Sequence, residues 1–182
     1  SIKNYLDFDH PHQIQIRKVF AKFTEDIISK KNFGVDGCSA PQYAFTIEKL
    51  GKALSNLLNS YNGNFDYSEN IQKMINAILA NPKFIGGSNN LDSNLIKISN
   101  KKIFCKGGAE GVFLFVHLKK EIFGILKVKD GNERALPSAI YTLLKKFDIL
   151  TKEELNQFFS WNKTDLYNHG KIKIGNIKTI IE

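Results

Sequence analysis

The chain has 182 residues, of which 42% are hydrophobic and 24% are charged, a globular composition that argues against disorder. This length predicts a single domain over residues 1–182, and no apolar run approaches a membrane span of about 20 residues. The 26 Lys and Arg residues outnumber the 18 Asp and Glu residues, for a net charge of +8. Because only Arg17 and Arg134 are arginines, this surplus predicts a solvated lysine-rich surface rather than a nucleic-acid interface.

The N-terminal residues and the cysteines favour a cytoplasmic protein. The segment from Ser1 to Tyr5 has no apolar core of a secretory signal. It also has no initiator Met, so we expect the natural chain to begin further upstream. Cys38 and Cys105 are too few for a disulfide framework, and we expect both to be free thiols.

The first hundred residues predict helices. The first helix is predicted to begin near Asp9-His10-Pro11, with Asp9 or His10 as its cap, and to end at Asn32-Phe33-Gly34. Its apolar residues recur at helical spacing: Ile16, Phe20, Phe23 and Ile27. A second helix is predicted over 46–59. A third is capped by Ser68 and ends at Asn81-Pro82, with these residues facing inward: Ile71, Met74, Ile75 and Ile78. A short helix is predicted over 92–98.

The character of the sequence changes after Asn100. Residues 112–118 and 122–128 are rich in Val, Ile and Phe and predict an antiparallel hairpin. A helix around 140–147 follows, then a short helix that opens with the capping box Thr151-Lys152-Glu153-Glu154, and a last strand with a bulge at Gly175. The whole order predicts an α+β fold, an antiparallel sheet with packed helices.

Three loop segments concentrate residues that could carry chemistry. Cys38, between Gly37 and Ser39, is either a metal ligand or nucleophile, or a small buried residue in a tight turn. Lys106, before two glycines, either holds a carboxylate and tunes a hydroxyl, or is an exposed residue at a β-bulge. The loop 85–92 either cradles an anion or is an ordinary loop in which Asp92 caps the next helix.

The four histidines receive no catalytic role. His10 and His12 flank a proline, a poor geometry for joint metal ligation, and His117 lies in a predicted strand where it can simply pack. His169 is likewise assigned no catalytic role.

Taken in order, several segments resemble one known family. The most specific are Asp36-Gly37-Cys38-Ser39-Ala40-Pro41 and Lys106-Gly107-Gly108-Ala109-Glu110-Gly111-Val112. The looser ones are Tyr5-Leu6-Asp7-Phe8-Asp9-His10-Pro11-His12-Gln13, Asn90-Leu91-Asp92-Ser93, Lys127-Val128-Lys129-Asp130-Gly131 and Asn168-His169-Gly170-Lys171-Ile172-Lys173-Ile174-Gly175. Together they resemble the C-terminal half of the asparaginase II family, the rhizobial-type L-asparaginases, which hydrolyse the side-chain amide of L-asparagine to aspartate and ammonia.

This resemblance implies a fold and a set of site residues. The family fold is similar to that of serine β-lactamases, in which Lys106-Gly107-Gly108 would be the counterpart of the Lys-Thr-Gly strand. Lys106 would then be catalytic, adjoining the nucleophilic hydroxyls and helping proton transfer, because a lysine in an electropositive, partly desolvated site loses its proton more readily. Gly108, Ala109 and Glu110 would border the substrate.

The resemblance also implies a zinc ion near the active site. Cys38 would be one ligand, and the others would belong to a Cys-Ser-Gly-Lys-His motif that this chain does not contain. We therefore expect zinc only in a complete enzyme and no cofactor in this chain alone. We also expect Cys38 and Lys106 to converge on one pocket.

The chain departs from the family pattern in what precedes it and at single positions. No Ser-x-x-Lys nucleophile motif lies before His10-Pro11. We therefore expect the chain to be a C-terminal portion that is inactive without its N-terminal half. We expect its partners to be that half or further copies of the chain, and we expect it to bind neither a membrane nor nucleic acid. Asn90 replaces a usual Arg, Ser93 a usual Thr and Thr46 a usual Pro. Two alternatives stay open: a non-catalytic remnant that acts as a binding or structural domain, or a basic nucleic-acid-binding domain.

Overall fold

A computed structural model describes residues 4–162 and 164–182. Its secondary structure is mixed helix and antiparallel strand, which confirms the α+β prediction. The internal contacts of the chain divide it into two compact units, Ser1–Ile71 and Gln72–Glu182. The single domain over 1–182 and the relation to a serine β-lactamase-like fold stay predictions.

The first unit joins helices to a small hairpin. Its elements are α1 (Pro11–Thr24), β1 (Phe33–Val35), β2 (Pro41–Tyr43), α2 (Ile47–Tyr61) and the beginning of α3 (Ser68–Ala80). As predicted, α1 is capped by His10, whose side chain accepts the backbone N–H of His12 at 3.1 Å. Phe23 of α1 is buried and packs edge-to-face against Phe65, with ring centroids 5.4 Å apart.

The predicted end of the first helix and the predicted placement of Ile27 on its apolar face are both wrong. The first helix ends at Thr24, because Glu25 adopts a left-handed conformation with φ of 50°, and it does not reach Asn32. Ile27 therefore lies outside the helix and is 86% exposed. The predicted turn at 36–41 connects β1 to β2, a short hairpin that the sequence analysis did not predict.

The second unit is built around a three-stranded antiparallel sheet in the order β3-β4-β5. Its elements are the remainder of α3, α4 (Lys83–Gly86), α5 (Leu91–Ile98), β3 (Ile103–Gly108), β4 (Val112–His117), β5 (Ile122–Lys127), α6 (Leu136–Lys146), α7 (Lys152–Phe158), β6 (Asp165–Tyr167) and β7 (Lys173–Asn176). The predicted hairpin is confirmed as β4 and β5. The capping box at Thr151 is confirmed at the start of α7.

The core of the second unit lies between the sheet and its helices. The hydrophobic residues with no exposed surface come from α3, α5, the sheet, α6 and α7: Ile75, Leu95, Ile96, Ile103, Cys105, Val116, Ile140, Leu144 and Phe158. Ile75 faces inward as predicted, but Met74 is 44% exposed. In the last hairpin Leu166 pairs with Gly175 and Tyr167 with Lys173, so the irregularity falls at Ile174, beside the predicted Gly175.

No helix formed by the described residues is long and apolar enough to cross a membrane.

Candidate functional site

A pocket of about 510 Å³ lies in the second unit, where the end of β3 meets the beginnings of α5 and α6. Its described lining residues come from five short segments: Asn89, Asn90, Leu91, Asp92, Lys106, Gly107, Gly108, Ala109, Val112, Phe113, Glu133, Leu136, Pro137 and Trp161. Lys106, Gly108 and Ala109, three of the four residues that the sequence placed at the active centre, are therefore brought together. Glu110 is exposed and is not among the described lining residues.

Lys106 reaches the pocket because β3 runs out of the core at this point. Ile103, Phe104 and Cys105 are buried, whereas the side chain of Lys106 is 46% exposed. Its Nζ lies 3.7 Å from Oδ2 of Asp92 and also donates to the carbonyl of Gly107. The lysine thus has an anionic neighbour, which differs from the electropositive surroundings expected from the resemblance.

Asp92 is the buried anion of the site. Its side chain is 4% exposed, and its Oδ2 accepts the backbone N–H of Gly107 at 2.8 Å. It occupies the first turn of α5, where the helix dipole favours a carboxylate. The expectation that Asp92 caps this helix is wrong, since Asn90 is the N-cap residue and the Asp92 carboxylate bonds across to β3.

Gly107 is required by the closeness of Asp92. A Cβ atom at this position would lie 3.2 Å from Oδ1 of Asp92 and 3.5 Å from Oδ2. A side chain would therefore crowd the carboxylate that receives the Gly107 N–H. This contact gives a structural reason for the first glycine of the Lys-Gly-Gly segment.

Cys105 lies behind the pocket and is chemically quiet. Its side chain is fully buried, and its Sγ donates to the backbone carbonyl of Asp92 at 3.4 Å. Burial raises the pKa of the Cys105 thiol well above its usual value, and the nearby Asp92 raises it further. The thiol therefore stays protonated at neutral pH and packs as a small apolar side chain.

Cys38 lies in the first unit and is exposed, so its interpretation as a small buried residue is wrong. Asp36 shapes the turn that presents it: its Oδ1 accepts the N–H groups of Cys38 and Ala40 at 2.8 and 2.9 Å. The Gln42 amide donates to Oδ2 at 2.9 Å. The bond from Ala40, with those from Cys38 and Gln42, holds the pKa of Asp36 below its ordinary value.

The residues around Cys38 do not form a zinc site by themselves. A structural zinc ion takes about four ligands, and the Asp36 carboxylate is already engaged by three hydrogen bonds. Among residues 4–162 and 164–182, no group of three or more His, Cys, Asp and Glu is arranged to hold a metal. Cys38 as a zinc ligand, and its convergence with Lys106, stay predictions.

The chain contains two Ser-x-x-Lys spacings, Ser99-Asn100-Lys101-Lys102 and Ser160-Trp161-Asn162-Lys163. In the second, Trp161 lines the pocket, and Lys163 lies outside the described residues. The first is structural. Ser99 is buried, and its hydroxyl donates to the carbonyl of Ile96 at 3.1 Å and accepts the N–H of Ile103 at 3.3 Å. Lys102 lies 2.5 Å from Oε1 of Glu154. The hydroxyl and the lysine thus serve the α5–β3 turn and the cap of α7.

Sequence reasoning missed three parts of the pocket wall. Asp92 lies within the segment Asn90-Leu91-Asp92-Ser93, but its hydrogen-bond partner Gly107 is 15 positions away on another element, so only the fold reveals the contact. Glu133 and Trp161 carry no local pattern that marks them as site residues. They reach the pocket because the chain returns to it twice after the sheet.

Comparison with known proteins identifies one family. Residues 1–179 match the family model described as L-asparaginase II. None of the curated proteins compared with the chain matches it.

Proposed function

Because the chain belongs to the L-asparaginase II family, we propose that it is the C-terminal portion of an L-asparagine amidohydrolase, which supplies the substrate pocket and Lys106. The observation that carries the proposal is the ion pair of Lys106 with the buried Asp92 at the wall of a 510 Å³ pocket. Gly108 and Ala109 also line the pocket, and their small size leaves room for an amide substrate beside them.

Lys106 is the group that we assign to proton transfer. Hydrolysis of the side-chain amide breaks its C–N bond, and the departing nitrogen must gain a proton to leave as ammonia. The Lys106 side chain is partly exposed, and Asp92 balances its charge, so an ammonium can be held at the pocket and donate to that nitrogen. Asp92 and the carbonyl of Gly107 hold the lysine where the substrate binds.

In this proposal the nucleophilic hydroxyl comes from an N-terminal half and not from this chain. The Ser-x-x-Lys motif that the family resemblance implies would lie upstream of His10-Pro11, and Ser99-Asn100-Lys101-Lys102 is committed to structural bonds. The other spacing, Ser160-Trp161-Asn162-Lys163, comes far later in the chain than the position that the resemblance implies. In this proposal the chain alone is inactive, and an N-terminal half contributes the hydroxyl. Cys38 then contributes one ligand to a zinc ion whose other ligands lie in the Cys-Ser-Gly-Lys-His motif of that half, and the protein acts in the cytoplasm.

Reconstitution tests the proposal. The chain is mixed with, or fused to, an N-terminal half from a complete family member that carries both motifs, and ammonia release from L-asparagine is measured. We expect activity from the combination and none from the chain alone. Lys106→Met should reduce kcat by at least about 100-fold, since general acid–base groups contribute about 10²- to 10⁴-fold. Lys97→Met, an exposed lysine on α5, is the matched control.

The outcomes separate the alternatives. Ammonia release by the chain alone would overturn the claim that an N-terminal half is needed, and it would leave the proposed amidohydrolase activity standing. A combination that folds but neither binds nor hydrolyses L-asparagine would favour a non-catalytic remnant. Salt-sensitive binding of random DNA would instead favour the basic nucleic-acid-binding domain.

A further inference from the structure

The pocket of the second unit has three charged side chains among its described lining residues: Lys106, Asp92 and Glu133. Asp92 is buried and already engaged by the Gly107 N–H and by Lys106. Glu133 is exposed, and among the described residues its carboxylate has no hydrogen bond or ion pair. The wall therefore offers one engaged anion and one carboxylate that is available to a ligand.

In the 3-10 turn Glu133–Ala135 before α6, the neighbouring cation Arg134 is paired with Asp130. Arg134, its neighbour, donates from Nη2 to Oδ2 of Asp130 at 2.6 Å. The other oxygen of Asp130 accepts the N–H of Asn132 at 3.0 Å, and Asn132 in turn accepts the N–H of Arg134 at 2.9 Å. The bond from Asn132, with the bonds from Arg134, keeps the pKa of Asp130 below its usual value. Arg134 is thus paired with Asp130 and not with Glu133.

L-Asparagine is a zwitterion, and its α-ammonium group needs an anionic acceptor. We propose that Glu133 binds the α-ammonium group of the substrate and so makes the pocket selective for amides that carry this group, such as L-asparagine, over amides that lack it. The inference rests on the proposed function, because it assigns the substrate amide to the same pocket. Asp92 is the poorer acceptor, since a ligand would have to break its bonds to β3.

Ligand binding to the full chain tests this without requiring turnover. L-asparagine and succinamate carry the same amide and carboxylate, but succinamate has hydrogen in place of the α-ammonium group. We expect the wild type to prefer L-asparagine in calorimetric or NMR titrations. Glu133→Gln should weaken L-asparagine by about fivefold, the scale of a partly exposed ion pair, and leave succinamate unchanged. Glu153→Gln, an exposed carboxylate in the first turn of α7, should leave both affinities unchanged.

Three results would overturn the inference. Equal affinity of the wild type for the two ligands would show that no group in the pocket reads the ammonium. An equal loss of both ligands in Glu133→Gln, at an unchanged melting temperature, would show that Glu133 shapes the pocket without recognising the ammonium. Binding of neither ligand to the wild-type chain would overturn this inference and the claim that this chain by itself supplies the substrate pocket, whereas the first two results leave the proposed function standing.

Discussion

The carboxylate of Asp92 bonds the N–H of Gly107 at 2.8 Å and lies 3.7 Å from the ammonium nitrogen of Lys106. One buried side chain at the beginning of α5 therefore fixes both the end of β3 and the lysine that follows the core residues of that strand. The relationship links the fold of the second unit to its pocket, because any displacement of α5 also displaces Lys106.

Two substitutions of Asp92 should destabilise the protein by different amounts. Asp92→Asn keeps an acceptor for the Gly107 N–H and loses only the charge, so we expect a loss of about 1 kcal/mol. Asp92→Ala removes both and leaves the N–H unpaired, for a loss of about 2–3 kcal/mol. Urea unfolding measures the free energy. Lys97→Ala on the exposed face of α5 is the control, and an Asp92→Ala variant as stable as this control would contradict the role of the carboxylate.

Gly111, the last glycine of the segment that begins at Lys106, should not tolerate a side chain. It has φ of +69°, and a Cβ atom there would lie 2.6 Å from the Cβ of Val128. We expect Gly111→Ala to lower the free energy of unfolding by about 2–3 kcal/mol, since strain and overpacking add.

Gly51→Ala is the matched control for that substitution. Gly51 lies within α2, and a Cβ atom there would meet nothing within 4 Å. Alanine should stabilise the protein by about 0.5–1 kcal/mol, because it favours the helix over the unfolded chain. Equal effects of the two substitutions in thermal or urea unfolding would show that the conformation and crowding at Gly111 carry no cost.

The turn that presents Cys38 should loosen when Asp36 is removed. The Asp36 carboxylate accepts the N–H groups of Cys38 and Ala40, and Asp36→Ala leaves both without this acceptor. We expect hydrogen exchange at these two amides to become about tenfold faster, as local opening becomes easier. Asp26→Ala, a half-buried aspartate elsewhere in the first unit, should leave both rates unchanged. Unchanged rates in Asp36→Ala would show that the backbone alone holds the turn.

The sequence identified the features that depend on neighbouring residues. The cap at His10 and the capping box at Thr151 are local patterns, and the structure confirms both. The end of α1 was missed because Ile27 continues the apolar period, although the left-handed Glu25 has already ended the helix. The partner of Asp92 was missed for a different reason, because the contact joins two elements that only the tertiary fold brings together.

The acid stability of the second unit should depend on Glu154. Its side chain is 5% exposed; Oε1 lies 2.5 Å from Nζ of Lys102, and Oε2 accepts the N–H of Thr151 at 2.9 Å. Burial acts to raise the pKa of Glu154, but the bonds from Lys102 and Thr151 outweigh it, and the pKa is lowered. The unfolded chain therefore takes up this proton first as the pH falls. The stabilisation is complete well above the unfolded value of about 4.3 and is lost as the pH falls through the folded-state pKa.

Glu154→Gln should remove this pH dependence. At pH 7 we expect a loss of about 2 kcal/mol in the free energy of unfolding, because Lys102 loses its anionic partner while the amide keeps an acceptor for the Thr151 N–H. As the pH falls through the folded-state pKa, which lies below its ordinary value, the wild type and the variant should converge, since the wild-type carboxyl then becomes neutral as well. Glu153→Gln, its exposed neighbour, should track the wild type across the range. A gap between wild type and Glu154→Gln that stays constant from pH 7 to pH 3 would contradict the ion pair as the source of the stabilisation.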